Sequence, residues 1–165
     1  METLQKAHLC VSIKKSSFHQ REVEFLGYKI SDRGISITST KVEEIRAWST
    51  PEKVVDVQGL MGFAMFYCRF MKGFRKIAKE LTYLTKKGIK WTFTPSCHEA
   101  FDKLKKMFTT GPILTYFDDP CPTKLQTDAS DFALGPVLSQ LYQHEKLHSV
   151  AFHSRKFSPA VTNRD

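Results

Sequence analysis

Apolar residues fill most positions between Val54 and Met71, and they recur with the period of a helix. Val57, Leu60, Met61, Ala64, Tyr67, Cys68 and Met71 share one spacing, while Phe63, Phe66 and Phe70 form a second stripe beside them. A helix apolar around most of its circumference must be buried on several sides, so this segment is the expected centre of the core. Pro51 and Glu52 precede it, where a first turn tolerates proline and favours an acid. A further helix is expected from Lys76 to Thr85. Upstream, Leu4 to Leu9 reads as a short helix leading into a strand around Val11 and Ile13. The stretch VEFLGYKI (residues 23–30) is rich in strand formers, SDRG is a turn, and ISITS (residues 35–39) alternates cleanly, which predicts a β-hairpin. Thr40 and Glu43 have the spacing of a capping box for a helix that runs to Trp48 and stops before Pro51.

Downstream the period changes again. Trp91 to Pro95 is an irregular link, and Ser96 to Thr109 is an amphipathic helix with Cys97, Ala100, Phe101, Leu104, Met107 and Phe108 on its buried face. Thr94 is its expected cap, with Pro95 in the first turn. Loops at Pro112–Leu114 and Asp118–Pro122 then lead to three predicted strands, at residues 124–130, 132–143 and 147–157. The fold class is α+β.

Charge divides the chain unevenly. Its 165 residues carry a formal charge of +8, and residues 1–90 hold 17 Lys/Arg against 9 Asp/Glu, whereas residues 91–165 hold 8 of each. The excess concentrates in Arg69, Lys72, Arg75, Lys76, Lys79, Lys86, Lys87 and Lys90, with Glu80 the one acid among them. A basic run attached to a buried aromatic helix suits a surface that holds a polyanion, and nucleic acid is the expected partner rather than a merely solubilising face. Apolar runs are broken by charge before they reach membrane-spanning length, so no membrane association is expected. Cys10, Cys68, Cys97 and Cys121 form no CxxC pair and, with no secretory leader recognised, are expected to be free thiols inside the cell, in cytoplasm or nucleus. His144, His148 and His153 lack the spacing of a metal site and read as solvent-facing or core residues. Trp48 and Trp91 read as core anchors.

GLMGFAMFYCRFMKGFRKIAKELTYLTKK resembles the thumb segment of gypsy-type LTR-retrotransposon reverse transcriptases. That family's pattern is FLG, two residues, a pair of aromatics, Arg-Arg-Phe, and a Lys-rich helix ending in Leu and Thr. This chain departs from it with Leu60-Met61 for Phe-Leu and with Cys68 where an arginine is usual. LQKAHLCVSIKKSSFHQREVEFLGYKIS is similar to the stretch between the polymerase active site and the thumb, with its FLG-aromatic landmark. LQTDASDFALG and AFHSRKFSP are similar to the opening sheet of the family's RNase H-like domain. The resemblance implies a palm-end hairpin in residues 1–50, a helical thumb in 51–90, and in 91–165 a tether helix with a partial RNase H-like mixed sheet.

The same resemblance assigns chemistry. RNase H-type sites gather two divalent ions, Mg²⁺ in the parent enzyme, on a small set of carboxylates. The first of these corresponds to Asp128 in TDAS, which from its local setting alone would be a turn residue. Asp131 is expected to be a turn residue. The further acids lie beyond SPAVTNRD in the family, and Pro136 stands where the family has alanine. Tyr116-Phe117-Asp118-Asp119 imitates the polymerase Tyr-x-Asp-Asp turn but follows the thumb, so it is expected to be a coincidence. The implied function is that of a reverse transcriptase/RNase H fragment that binds RNA/DNA or DNA duplex and associates with other Pol segments. Both parent activities, RNA-directed DNA synthesis and hybrid cleavage, are expected to be absent from this chain alone, and no stably bound metal is expected. Nucleic-acid contacts are expected from Arg69, Lys72, Arg75, Lys76, Lys79, Lys86 and Lys87. A domesticated interaction protein and a non-functional truncated product are the alternatives.

Overall fold

A computed structural model describes residues 2–130, 133–142 and 146–157. At the start, α1 (Glu2–Lys6) is a single turn, shorter than the Leu4–Leu9 helix expected. The strand expected around Val11 and Ile13 does not form. Ile13–Lys15 is a 3-10 turn and Ile13 is 70% exposed, because an apolar pair with no neighbouring edge has no ladder to join.

The expected hairpin is a three-stranded antiparallel sheet of β1 (Glu22–Phe25), β2 (Tyr28–Ser31) and β3 (Gly34–Ile37). VEFLGYKI is two strands rather than one. Leu26 and Gly27 both have positive φ (50° and 78°), which makes the tight two-residue turn that reverses β1 into β2. An L side chain at Gly27 would also overlap the Tyr67 hydroxyl, so glycine is required there twice over.

Next comes α2 (Ser39–Arg46), which starts ahead of the expected capping box. Thr38 takes the cap position in extended backbone, its N–H held by the Gly27 carbonyl at 3.1 Å, and Glu43 pairs with Arg46 at 2.6 Å instead of reaching back. α3 (Val54–Phe66) is started by Asp56, whose carboxylate accepts from the N–H groups of Glu52 and Lys53 at 3.0 and 3.2 Å. It stops five residues short of Met71, in a 3-10 turn at Cys68–Phe70. Gly73, at φ 67°, then turns the chain into α4 (Phe74–Ile77) and α5 (Lys79–Leu84), which replace the single helix expected from Lys76 to Thr85. α6 (Pro95–Thr109) begins as its sequence predicts, with Thr94 Oγ1 accepting from Cys97 N–H.

These helices share one core, with Ile45, Val57, Leu60, Ala64, Tyr67, Phe70, Phe74, Leu81, Leu84, Phe101, Leu104 and Phe108 all buried. Trp48 and Trp91 pack half-buried against it. The expectation that α3 is buried on several sides needs correction. Val57, Leu60 and Ala64 face inward, whereas Val55 and Met65 are exposed and Phe66 is 50% exposed. Phe66 is therefore a lid on the Tyr28 ring rather than a core residue, with the two centroids 5.2 Å apart.

The second half carries β4 (Thr123–Gln126), β5 (Ala133–Leu134), β6 (Val137–Tyr142), β7 (Lys146–Phe152) and β8 (Arg155–Lys156). Strands pair in the order β4-β6-β7, with β5 and β8 as a separate pair, and every pairing among the described residues is antiparallel where a mixed sheet was expected. The predicted strand 132–143 is broken at Gly135-Pro136. Pro136 sits just ahead of the central strand β6, where it removes no ladder bond, and its carbonyl accepts from His153 N–H at 2.9 Å. Asp131, His144 and residues 158–165 lie outside the described residues; His148 packs edge-on against Tyr142.

The helices and the two halves are joined by the link after α6. Leu114 exchanges both backbone bonds with Ile35 of β3 (2.7 and 2.8 Å), and the next residue, Thr115, donates to Ser149 of β7 at 3.0 Å. Tyr116 Oη donates to the Ser31 carbonyl at 2.9 Å, and Asp118 N–H donates to the side chain of the fully buried Gln140 at 2.9 Å. YFDD is thus a stitch between two sheets.

Three stability outcomes follow from this packing. Phe74→Ala, at a fully buried position, should cost about 3–5 kcal/mol, and Phe66→Ala distinctly less, as measured by denaturant unfolding. Gly27→Ala should cost about 1–3 kcal/mol from backbone strain and the overlap with Tyr67. Amide exchange should be slower in α3 than in β6 and β7; the opposite order would mean that the stable core had been placed in the wrong half.

Candidate nucleic-acid interface

Arg75 of α4 and Lys79 and Tyr83 of α5 recur every four residues, which puts them on one side of the two helices, and Lys86 follows in the turn after α5. Across a gap from that face lies Lys156 of β8. Together with Glu80 and Thr82 these residues line a groove of about 310 Å³. Its second wall is fixed by a bond between distant parts of the chain, Arg75 N–H donating to Ser154 Oγ at 3.0 Å. The Arg75 guanidinium leans on Met65, with Nη2 3.4 Å from Sδ. Lys86 Nζ lies 5.0 Å from the centre of the Tyr83 ring, within cation–π range.

The structure separates the cations that the sequence shows as one run. Arg75, Lys79 and Lys86 meet in the groove. Lys76 turns away from it to a small corner of about 30 Å³ that it shares with Gly73, Asp128, Ser130, Gly135 and Ser154. Arg69 is exposed near the Tyr28 phenol, which burial and the neighbouring Tyr67 push above its ordinary pKa while Arg69 opposes the rise. Lys72 and Lys87 are exposed. Tyr83 and Lys156 were not legible as partners of the basic run. Lys156 is brought to it by the docking of the sheet on the helices, the Ser154 contact included, which no local pattern signals.

Asp128 stands two residues past the end of β4, on the exposed side of that corner. Its main-chain carbonyl accepts from Gly135 N–H at 2.7 Å, and this bond shapes the turn. Asp128 is the one carboxylate among the described residues lining this corner, which Lys76 also lines, and among the described residues no three His, Cys, Asp or Glu side chains gather.

Residues 93–165 match the RNase H-like domain found in reverse transcriptase. Over 163 residues, 99% of the chain, the sequence is 31% identical to the Transposon Tf2-3 and Tf2-4 polyproteins of Schizosaccharomyces pombe, of whose length it spans 12%. Among solved structures it is similar to the foamy viral protease-reverse transcriptase in complex with dsDNA, with a TM-score of 0.74 and 25% identity over 98% of this chain and 34% of that one. The foamy viral protease-reverse transcriptase in complex with RNA/DNA hybrid gives a TM-score of 0.73 at 24% identity, over 92% of this chain and 21% of that one. The fold is similar to that of the foamy viral protease-reverse transcriptase, and the chain belongs to the reverse transcriptase/RNase H region of retrotransposon Pol polyproteins.

Proposed function

We propose that this chain holds the template–primer duplex, RNA/DNA or DNA, against the basic face of its helical unit. Arg69, Lys72, Arg75, Lys76, Lys79, Lys86 and Lys87 are the phosphate-contacting residues. The observation that carries the proposal is the gathering of Arg75 of α4, Lys79 of α5 and Lys86 of the turn after α5 along one groove, backed by a buried aromatic core. Cations held at helical spacing can follow a phosphate backbone without reading its sequence. The duplex bound by the foamy viral relatives supports the same use here.

Polymerisation and hybrid cleavage belong, on this proposal, to the longer protein in which such a segment works with other Pol segments. Nucleotide addition needs paired aspartates in a palm hairpin to hold two metal ions. Asp118 and Asp119 lie in the link ahead of β4, and Asp128 lines a corner with Lys76, which is consistent with that division of labour. This chain's contribution is to grip and orient the duplex.

Two measurements test the proposal. Duplex affinity should fall steeply as salt rises, because each neutralised phosphate releases counterions. Replacing Lys72, Arg75, Lys76 and Lys79 together by alanine should weaken binding and flatten the log–log slope by about 0.9 for each phosphate that is no longer neutralised; an unchanged slope would show these side chains to be merely solvated. In a hybrid-cleavage assay with Mg²⁺ or Mn²⁺, the wild-type chain and Asp128→Asn should both stay at background. Robust wild-type cleavage that disappears in Asp128→Asn would overturn the assignment of a grip without chemistry.

A further inference from the structure

The groove between α5 and β8 sets a half-exposed aromatic ring among its cations. Tyr83 is 48% exposed, and its ring lies in a groove otherwise lined by Arg75, Lys79, Lys86, Lys156, Thr82 and a single acid, Glu80. In a duplex the bases stack on one another and only phosphates and groove edges face the protein. An aromatic ring within a cationic groove is the arrangement that takes an unpaired base on its face while the cations take the adjoining phosphate. The size agrees. About 310 Å³ is at the small end of the range for small-molecule sites, enough for one nucleotide unit and far too little for a double helix.

We propose that this groove is a subsite for one nucleotide of an unpaired strand, such as an overhang leaving a duplex that the outer edge of the same Arg75, Lys79 and Lys86 row holds. Arg75, Lys79 and Lys156 hold the phosphate, and Tyr83 carries the base. Lys86 links the two events. Its ammonium sits over the Tyr83 ring, and a phosphate entering the groove draws it aside and uncovers the ring for stacking. Glu80 discourages a second phosphate and can accept from a base amino group. Ser154, two residues before Lys156, accepts from Arg75 N–H, so the subsite depends on the docking of the sheet on the helices. The inference rests on the proposed nucleic-acid function and extends it from the duplex to the strand that emerges from it.

The test uses the full chain and fluorescence anisotropy with three probes: a blunt DNA duplex, the same duplex with a short single-stranded overhang, and an unpaired oligonucleotide. The overhang should improve wild-type affinity over the blunt duplex by about 5-fold or more, the lower end of what one base gains on an aromatic ring. Tyr83→Leu should abolish that gain, Tyr83→Phe should keep it, and Lys156→Gln should reduce it, all three leaving blunt-duplex affinity unchanged. Equal wild-type affinity for blunt and overhanging duplex, or a gain that persists in Tyr83→Leu, would overturn the proposal. So would full competition by a free mononucleotide at the oligonucleotide's concentration, since the site would then be one for free nucleotides. Loss of blunt-duplex binding with Tyr83-dependent binding of the unpaired oligonucleotide intact would remove the duplex proposal and leave this one standing.

Discussion

Tyr28 stands where the small N-terminal sheet meets the helices, and the arrangement of both depends on it. Its ring stacks on Phe66 and Phe70, with centroids 5.2 and 5.7 Å away, and meets Tyr67 edge-on at 5.3 Å. Its hydroxyl donates to the Phe66 carbonyl at 2.9 Å, at the point where α3 gives way to the 3-10 turn and has a carbonyl to satisfy. From Tyr67 the rings continue through Phe63 to Phe108 of α6 and Trp48. Offset and edge-on pairs of this kind add about 0.5–1.5 kcal/mol each beyond the area they bury. A chain of such contacts fixes α3 against two other segments, and α3 in turn sets the direction of Gly73, α4 and α5. The cationic face is only as well placed as this joint.

The FLG-aromatic landmark acquires a physical meaning here. Leu26 and Gly27 supply the two positive-φ residues of the turn, Gly27 leaves room for the Tyr67 hydroxyl, and the aromatic that follows is Tyr28 itself. Burial pushes the Tyr67 phenol above its ordinary pKa, with the Lys41 ammonium opposing the shift, so the ring that closes this joint stays neutral across the physiological range.

Much of this was legible in the sequence. The periodicity of residues 54–71 located the core helix, Thr94-Pro95 located the start of α6, and the TDAS and FLG landmarks located the family. The misplacements have separable causes. At Phe66 the helical period was right, but the segment is richer in apolar residues than the core has room for, and sequence alone does not rank which stripe faces in. At Leu26-Gly27 the strand propensity of VEFLGYKI concealed a turn whose requirement is a backbone sign, not a composition. At the basic run the residue types were right and their division was hidden. Lys76 turns to the Asp128 corner while Arg75, Lys79 and Lys86 turn to the groove, a separation set by the kink at Ala78 and by a sheet whose residues lie some seventy to eighty positions away.

Because the proposed grip depends on which lysines face the bound strand, the most direct measurement is residue-resolved lysine labelling of the chain, with and without a saturating RNA/DNA hybrid. The account predicts that Lys79 and Lys86 in the groove, and the exposed Lys72 of the same basic run, lose reactivity when the hybrid binds. Lys14 and Lys15 near the N-terminus and Lys124 on β4 should label as before. Protection confined to Lys14, Lys15 and Lys124, with the helical lysines unchanged, would contradict it and move the interface to another face of the molecule.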